Sequence, residues 1–244
     1  MHLLRPTLSA LLLVAALTCA QVVSAAELVV IAADNAGAQL APGKTLKAGS
    51  SITLAAGGRV TILAQSGEVI KLKGPFSGPV KGGKSAKGGS RLAAVSKLLG
   101  TSRRSTTLGA TRAVAPGSGP RATPGNIWIV EAHRAGRACV RPKEMTLWRP
   151  TANQPAIVAL WPLNGTPKKL DWPAGKSTHR VSDQPLADGV QLSVLAGGRN
   201  TAIVLSVLPD DVDAAPGGPL LQWMAARGCR VQANKLIRQL HGGS

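Results

Sequence analysis

Between Pro79 and Pro124 the chain carries nine basic residues, Lys81, Lys84, Lys87, Arg91, Lys97, Arg103, Arg104, Arg112 and Arg121, and no acidic one. Gly, Ser, Thr and Pro make up most of the remainder. A stretch of this kind buries too little apolar surface to offset its ordering entropy, and its like charges repel. It is therefore expected to be a mobile linker, residues 79–124, that divides the chain into separate folding units. One part departs from that pattern. Leu92, Val95, Leu98 and Leu99 recur at helical spacing before Gly100, which predicts a short amphipathic helix over 91–99 with glycine as its C-cap.

The N-terminus adds a second constraint. Arg5 supplies a positive start, Leu8 to Leu17 form an apolar run, and Val23-Ser24-Ala25 fits the small-residue rule for cleavage. Residues 1–26 read as a secretory signal peptide, cut after Ala25 or Ala26. The run is shorter than the ~20 residues that span a bilayer, and no later segment is long and apolar enough to do so. Export to the periplasm or beyond follows as the expectation. The net charge of +18 becomes +17 once Arg5 leaves with the leader. About 218 residues remain, enough for one sizeable core or two small ones.

Cys139 and Cys229 are the cysteines left after processing. In an oxidising compartment an even pair reads most economically as one disulfide. A reactive thiol at Cys229, beside the start of a helix, and unpaired thiols are the alternatives.

Glycine-punctuated short apolar runs fill residues 27–78. Leu28–Ile31, Ser51–Leu54, Arg59–Leu63 and Glu68–Leu72 read as strands, separated by turn residues at 41–43, 57–58 and 65–67. Residues 51–54 and 59–63 alternate, so each is expected to bury one face and wet the other. Residues 125–208 hold seven further candidate strands: 127–131, 137–141, 145–149, 156–161, 168–172, 190–195 and 201–207. Their spacing predicts an antiparallel β-sandwich or a partly closed barrel. Trp148, Trp161 and Trp172 fall at strand ends, where core or rim packing competes with a carbohydrate platform. Residues 209–244 comprise an acidic loop and two short helices broken at Gly228, with Pro219 suited to a first turn. The fold class expected is mainly β, a small antiparallel module plus a sandwich or partly closed barrel, closed by a pair of C-terminal helices.

No constellation for catalysis stands out. His133, His179 and His241 lie far apart, without metal-ligand spacing, and no nucleophile elbow or phosphate loop is present. Asp210, Asp211 and Asp213 read as a solvated loop rather than a calcium site. Glu131 with His133, and His179 with Asp183, are the acid–base pairs that sequence proximity offers. No cofactor and no metal are expected, and no catalytic residue is assigned. The basic residues Lys81, Lys84, Lys87, Arg91, Lys97, Arg103, Arg104 and Arg112 are the candidate contacts for a polyanion, by salt-dependent counterion release. Nucleic acid is disfavoured because no aromatics interleave with the charges.

The segment from Leu40 to Gly78 carries Leu40-Ala41-Pro42-Gly43, Gly49-Ser50-Ser51-Ile52-Thr53-Leu54, Gly58-Arg59-Val60-Thr61-Ile62-Leu63, Ser66-Gly67 and Leu72-Lys73-Gly74-Pro75-Phe76. This pattern resembles the small β domain of FecR-type exported proteins. It also resembles exported proteins of alphaproteobacteria that join such a β unit to a Cys-bearing C-terminal helix. The chain departs from the sigma-regulator proteins in having no evident cytoplasmic tail or transmembrane helix. The resemblance implies an envelope β-module and no catalytic residues. The functional expectation is a non-enzymatic binding or adaptor protein, acting on an envelope protein in periplasmic assembly, sensing or secretion. Binding of anionic glycan or lipid through the basic stretch, and an unrecognised hydrolase or thiol enzyme, are the rival readings.

Overall fold

The computed structural model describes residues 26–82, 89–108 and 124–243 apart from 183 and 185, with side chains of the first helix described over 91–101. The leader assigned to residues 1–26 lies, except for Ala26, outside the described residues. Strands β1 (Glu27–Asp34), β2 (Thr45–Lys47), β4 (Arg59–Ala64) and β5 (Val69–Lys73) form an antiparallel sheet in the order β2-β1-β4-β5. Strands β3 (Ser51–Leu54) and β6 (Phe76–Pro79) pair beside it. The strands β2 and β6 have no counterpart in the sequence reading, because each holds a single large apolar side chain, Leu46 and Phe76.

β3 alternates buried and exposed as its sequence predicts. β4 does not: Thr61 and Leu63, expected on a wet face, are buried. The reason is tertiary, since helices cover that face. On one side of the sheet Leu28, Val30, Leu54, Val60 and Ile62 form a small core. On the other, Val29, Ile31 and Leu63 join a larger core built from the helices.

Helix α1 (Gly89–Leu108) supplies Leu92, Val95, Leu98 and Leu99 to that larger core. The helix expected over 91–99 is formed, and its four apolar side chains find a partner surface. One expectation is corrected: the helix runs through Gly100 instead of stopping there. Glycine permits a left-handed cap but does not impose one, and Thr101 continues the turn by bonding back to the Lys97 and Leu98 carbonyls.

The sandwich has two sheets. β11 (Lys168–Trp172), β10 (Ala156–Trp161), β13 (Gln191–Ala196), β14 (Arg199–Val207) and β8 (Gly136–Val140) form one, in that order. β12 (Thr178–Val181), β9 (Met145–Trp148) and β7 (Ile129–Glu131) form the other. Val158, Leu192, Val194 and Leu205 of the first face Val130, Met145, Leu147 and Val181 of the second across a common core. The pairings are antiparallel except β14 with β8 and β7 with β9, which are parallel. No closed barrel forms.

Helices α2 (Gly218–Ala226) and α3 (Arg230–Gly242) break at Gly228, whose φ of 76° an L side chain rarely adopts. They do not trail behind the sandwich. Leu220, Leu221, Trp223, Met224, Ala233 and Leu236 meet α1, β1, Ile127 and Cys139 in one core. The N-terminal sheet and the sandwich are thus joined through shared helices rather than strung on a spacer. At the seam, a Cβ on Gly218 would overlap the Gly67 carbonyl and lie 2.7 Å from Leu63 Cδ1, so only glycine lets α2 approach the β4–β5 turn.

Candidate functional site

The disulfide expected from the cysteine count is formed. Cys139 on β8 and Cys229 before α3 are bonded, with Cα atoms 5.7 Å apart and both residues fully buried. That engagement leaves no nucleophilic thiol at Cys229. Of the polyanion candidates, Lys81, Arg91 and Lys97 are exposed, the last two on the outer side of α1. Lys84, Lys87 and Arg112 lie outside the described residues, as do the side chains of Arg103 and Arg104. Asp210, Asp211 and Asp213 form the turn ahead of α2, where Asp213 Oδ1 accepts from the Ala215 amide. Among the described residues no cluster of His, Cys, Asp and Glu is arranged to hold a metal.

Glu131 and His133 do come together, within a larger group. Glu131 and Lys235, both buried, form an ion pair of 2.8 Å between β7 and α3. Arg134 Nε lies 2.6 Å and His133 Nε2 3.8 Å from the same carboxylate. Burial works to raise the Glu131 pKa, but Lys235 and Arg134 together outweigh it and hold the carboxyl below its usual range. Burial pushes the His133 pKa down, against the pull of Glu131 and with the help of Arg134 and Lys235. A carboxylate already neutralised by two cations is a poor base, so the group fastens α3 to the sandwich. His179 packs against Trp172, its pKa lowered by burial and by the nearby Arg149. Its proposed partner Asp183 lies outside the described residues.

His241 has partners that sequence reasoning did not supply, since they are more than 170 positions away. Its Nδ1 is 2.8 Å from Thr61 Oγ1 and its Nε2 is 2.9 Å from Asp34 Oδ2. The bond to His241 lowers the Asp34 pKa, and the charge of Arg59 adds to it. A hydroxyl, an imidazole and a carboxylate in series have the groups of a nucleophilic triad. Thr61 is, however, buried in the middle of β4, where no substrate reaches its oxygen. The series anchors the end of α3 to the N-terminal sheet, as does Lys71, which donates to the Gly243 carbonyl.

The most distinctive surface lies on the outer face of the five-stranded sheet. Ala156, Val158 and Leu160 point into the sandwich, so Ile157, Ala159 and Trp161 point out. Ile157 pairs directly with Leu195. Ile157, Trp161, Leu163 and Leu195 are the large apolar side chains that remain exposed among the described residues, at 41 %, 50 %, 66 % and 46 %. The outward residues of β13 and β14, Gln191, Ser193, Asn200, Ala202 and Val204, carry no charge. Charge returns on the two edge strands: Lys169 and Asp171 of β11 stand opposite the outward Ala159 and Ile157, and the exposed Arg137 of β8 stands opposite the outward Val204. In a chain of net charge +18, three adjacent strands without an outward charge, carrying exposed Ile157, Trp161 and Leu195, form an unusual apolar patch.

Sequence reasoning placed the strand 156–161 but not its surface. The signal was present, because Ala156-Ile157-Val158-Ala159-Leu160-Trp161 is apolar on both faces. Of the strand-end tryptophans, Trp148 and Trp172 are buried and Trp161 alone is half exposed. No protein-family model matches the chain, and no curated protein registers as a relative.

Proposed function

We propose that this chain is an exported, non-enzymatic binding or adaptor protein of the cell envelope. It docks an acidic protein partner against the outer face of its five-stranded sheet. The observation that carries the reading is the collection of Ile157, Trp161, Leu163 and Leu195 on and beside a sheet face whose three central strands carry no outward charge. Lys169 and Arg137 on the flanking strands outnumber Asp171 there, and with the net positive charge they favour an acidic partner and oppose association with a second copy. Export rests on the leader at residues 1–26 and agrees with a disulfide between Cys139 and Cys229. The FecR-like pattern of residues 40–78 fits an envelope setting.

The test is co-purification of the full chain from cell envelopes, beside the Ile157→Asp, Leu195→Asp variant. One acidic protein held by the natural sequence and lost from the variant is the expected result. The reading fails if the variant holds the same proteins. It fails equally if the face proves to join two copies of the chain in sedimentation.

A second reading draws on the exposed Lys81, Arg91 and Lys97. In it the basic stretch adheres to anionic glycan or lipid. That contact would vanish at high salt, and charge reversal of the exposed Arg91 and Lys97, or of Arg103 and Arg104, would weaken it.

A further inference from the structure

At one end of the sandwich the two sheets part, leaving a cleft of about 360 Å³. His133 enters it just beyond β7, Arg149 just beyond β9, and Asn153 and Gln154 from the loop that follows. Arg199 and Thr201 enter from the start of β14. No acidic residue lines it among the described residues. Glu131, the nearest carboxylate in sequence, is already engaged by Lys235 and Arg134.

Arg149 is the unusual member. Only 4 % of it is exposed, yet no carboxylate pairs with it among the described residues. Its Nε donates to the Lys176 carbonyl at 3.1 Å and its Nη2 to the Pro173 carbonyl at 2.7 Å. Its guanidinium lies 4.6 Å from the centre of the Trp172 ring. Carbonyls and a ring face offer partial negative charge, while a buried cation is ordinarily matched by a full one. These contacts also fix the guanidinium in place, which lowers the ordering cost of binding.

We propose that this cleft binds a small polyhydroxylated ligand, a sugar bearing one carboxylate or phosphate, with the oxyanion at Arg149 and Arg199. The amides of Asn153 and Gln154 and the hydroxyl of Thr201 pair with the ligand's hydroxyls. The volume lies in the range of small-molecule sites, and arginine is the side chain best shaped for a carboxylate or phosphate. Ile157 and Trp161 of the docking face do not line the cleft, although Gln154 and Gly197 border both it and the groove beside Ile157 and Leu195.

Intrinsic tryptophan fluorescence offers a readout, because Trp148 stands edge-to-face with His133 at 5.6 Å. Titration calorimetry of the full mature chain gives a second. The probes are glucuronate, glucose 6-phosphate, inorganic phosphate and uncharged glucose. At least one acidic sugar should bind about tenfold or more tightly than glucose, given the strength of charge-assisted hydrogen bonds. Whichever acidic sugar binds identifies the oxyanion. Arg199→Gln, at an exposed position, should weaken that binding about tenfold, while Arg238→Gln, an exposed arginine on α3 away from the cleft, should leave it unchanged. The proposal is overturned if neither acidic sugar binds at millimolar concentration or if glucose binds equally well. It is also overturned if inorganic phosphate matches the sugar phosphate, or if folded Arg199→Gln binds as the natural sequence does.

Discussion

The side-chain amide of Gln232 bonds in both directions to the backbone of Cys139. Its Oε1 accepts from the Cys139 amide at 2.7 Å, and its Nε2 donates to the Cys139 carbonyl at 2.6 Å. The same Nε2 reaches the Ile127 carbonyl at 3.0 Å. β8 is an edge strand, and a helix side chain here takes the place of the next strand. Gln232→Met keeps the volume and removes all three bonds, leaving buried backbone groups unmatched. The expected loss is about 2–4 kcal/mol in urea unfolding.

The disulfide closes the same contact covalently. Its cysteines are 90 positions apart, so cross-linking removes about 4–5 kcal/mol of chain entropy from the unfolded state in the loop-closure model. Replacing both cysteines by alanine should lower stability by an amount of that order. A thermal melt under reducing conditions should show the same fall for the natural sequence and no further fall for the variant.

The pair formed by Glu131 and Lys235 should be costly to halve and cheap to remove. Lys235→Met leaves a buried carboxylate with Arg134 as its cation, and about 3–5 kcal/mol is the expected loss. Adding Glu131→Gln should recover most of it in chemical unfolding. In the natural protein the depressed Glu131 pKa favours folding above the ordinary carboxyl range, and the benefit is lost as pH falls through it.

His133 and His179 should make stability fall with acid at a milder pH. Burial is the main cause that lowers both, so the unfolded chain takes up protons before the folded one does. Their contribution is complete above the ordinary histidine value of 6.5 and declines as pH drops below it. Urea midpoints measured on either side of that pH should differ less for the His133→Asn, His179→Asn variant.

Much of the secondary structure was legible because its signals are local. Residues 156–161 and 168–172 match β10 and β11 end for end, and the glycine break at 228 falls between α2 and α3. β2, β6 and β12 were missed because none of them holds an apolar run: Leu46, Phe76 and Val181 are their single large apolar side chains. The helix over 91–99 was legible from four apolar side chains at helical spacing, but its extension past Gly100 and the core it joins were not, since both depend on contacts with distant segments.

The candidate site was less legible than the fold. Basic residues are conspicuous in a sequence, but an exposed Ile157 beside an exposed Leu195 looks like any other pair of strand residues. Whether an apolar side chain is covered depends on which sheet face the neighbouring elements reach. The same holds for Arg149, whose burial against backbone carbonyls depends on the loop that carries Pro173 and Lys176.

The sequence by itself determined the mainly β class, the strands long enough to show alternation, the helix break at Gly228 and the pairing of the two cysteines. These rest on short-range periodicity, backbone freedom and counting. Tertiary structure alone decided that β4 is covered on both faces, that α1 packs, and that His241 meets Asp34 and Thr61. It also decided that one sheet face stays apolar and open, because burial is settled between segments distant along the chain.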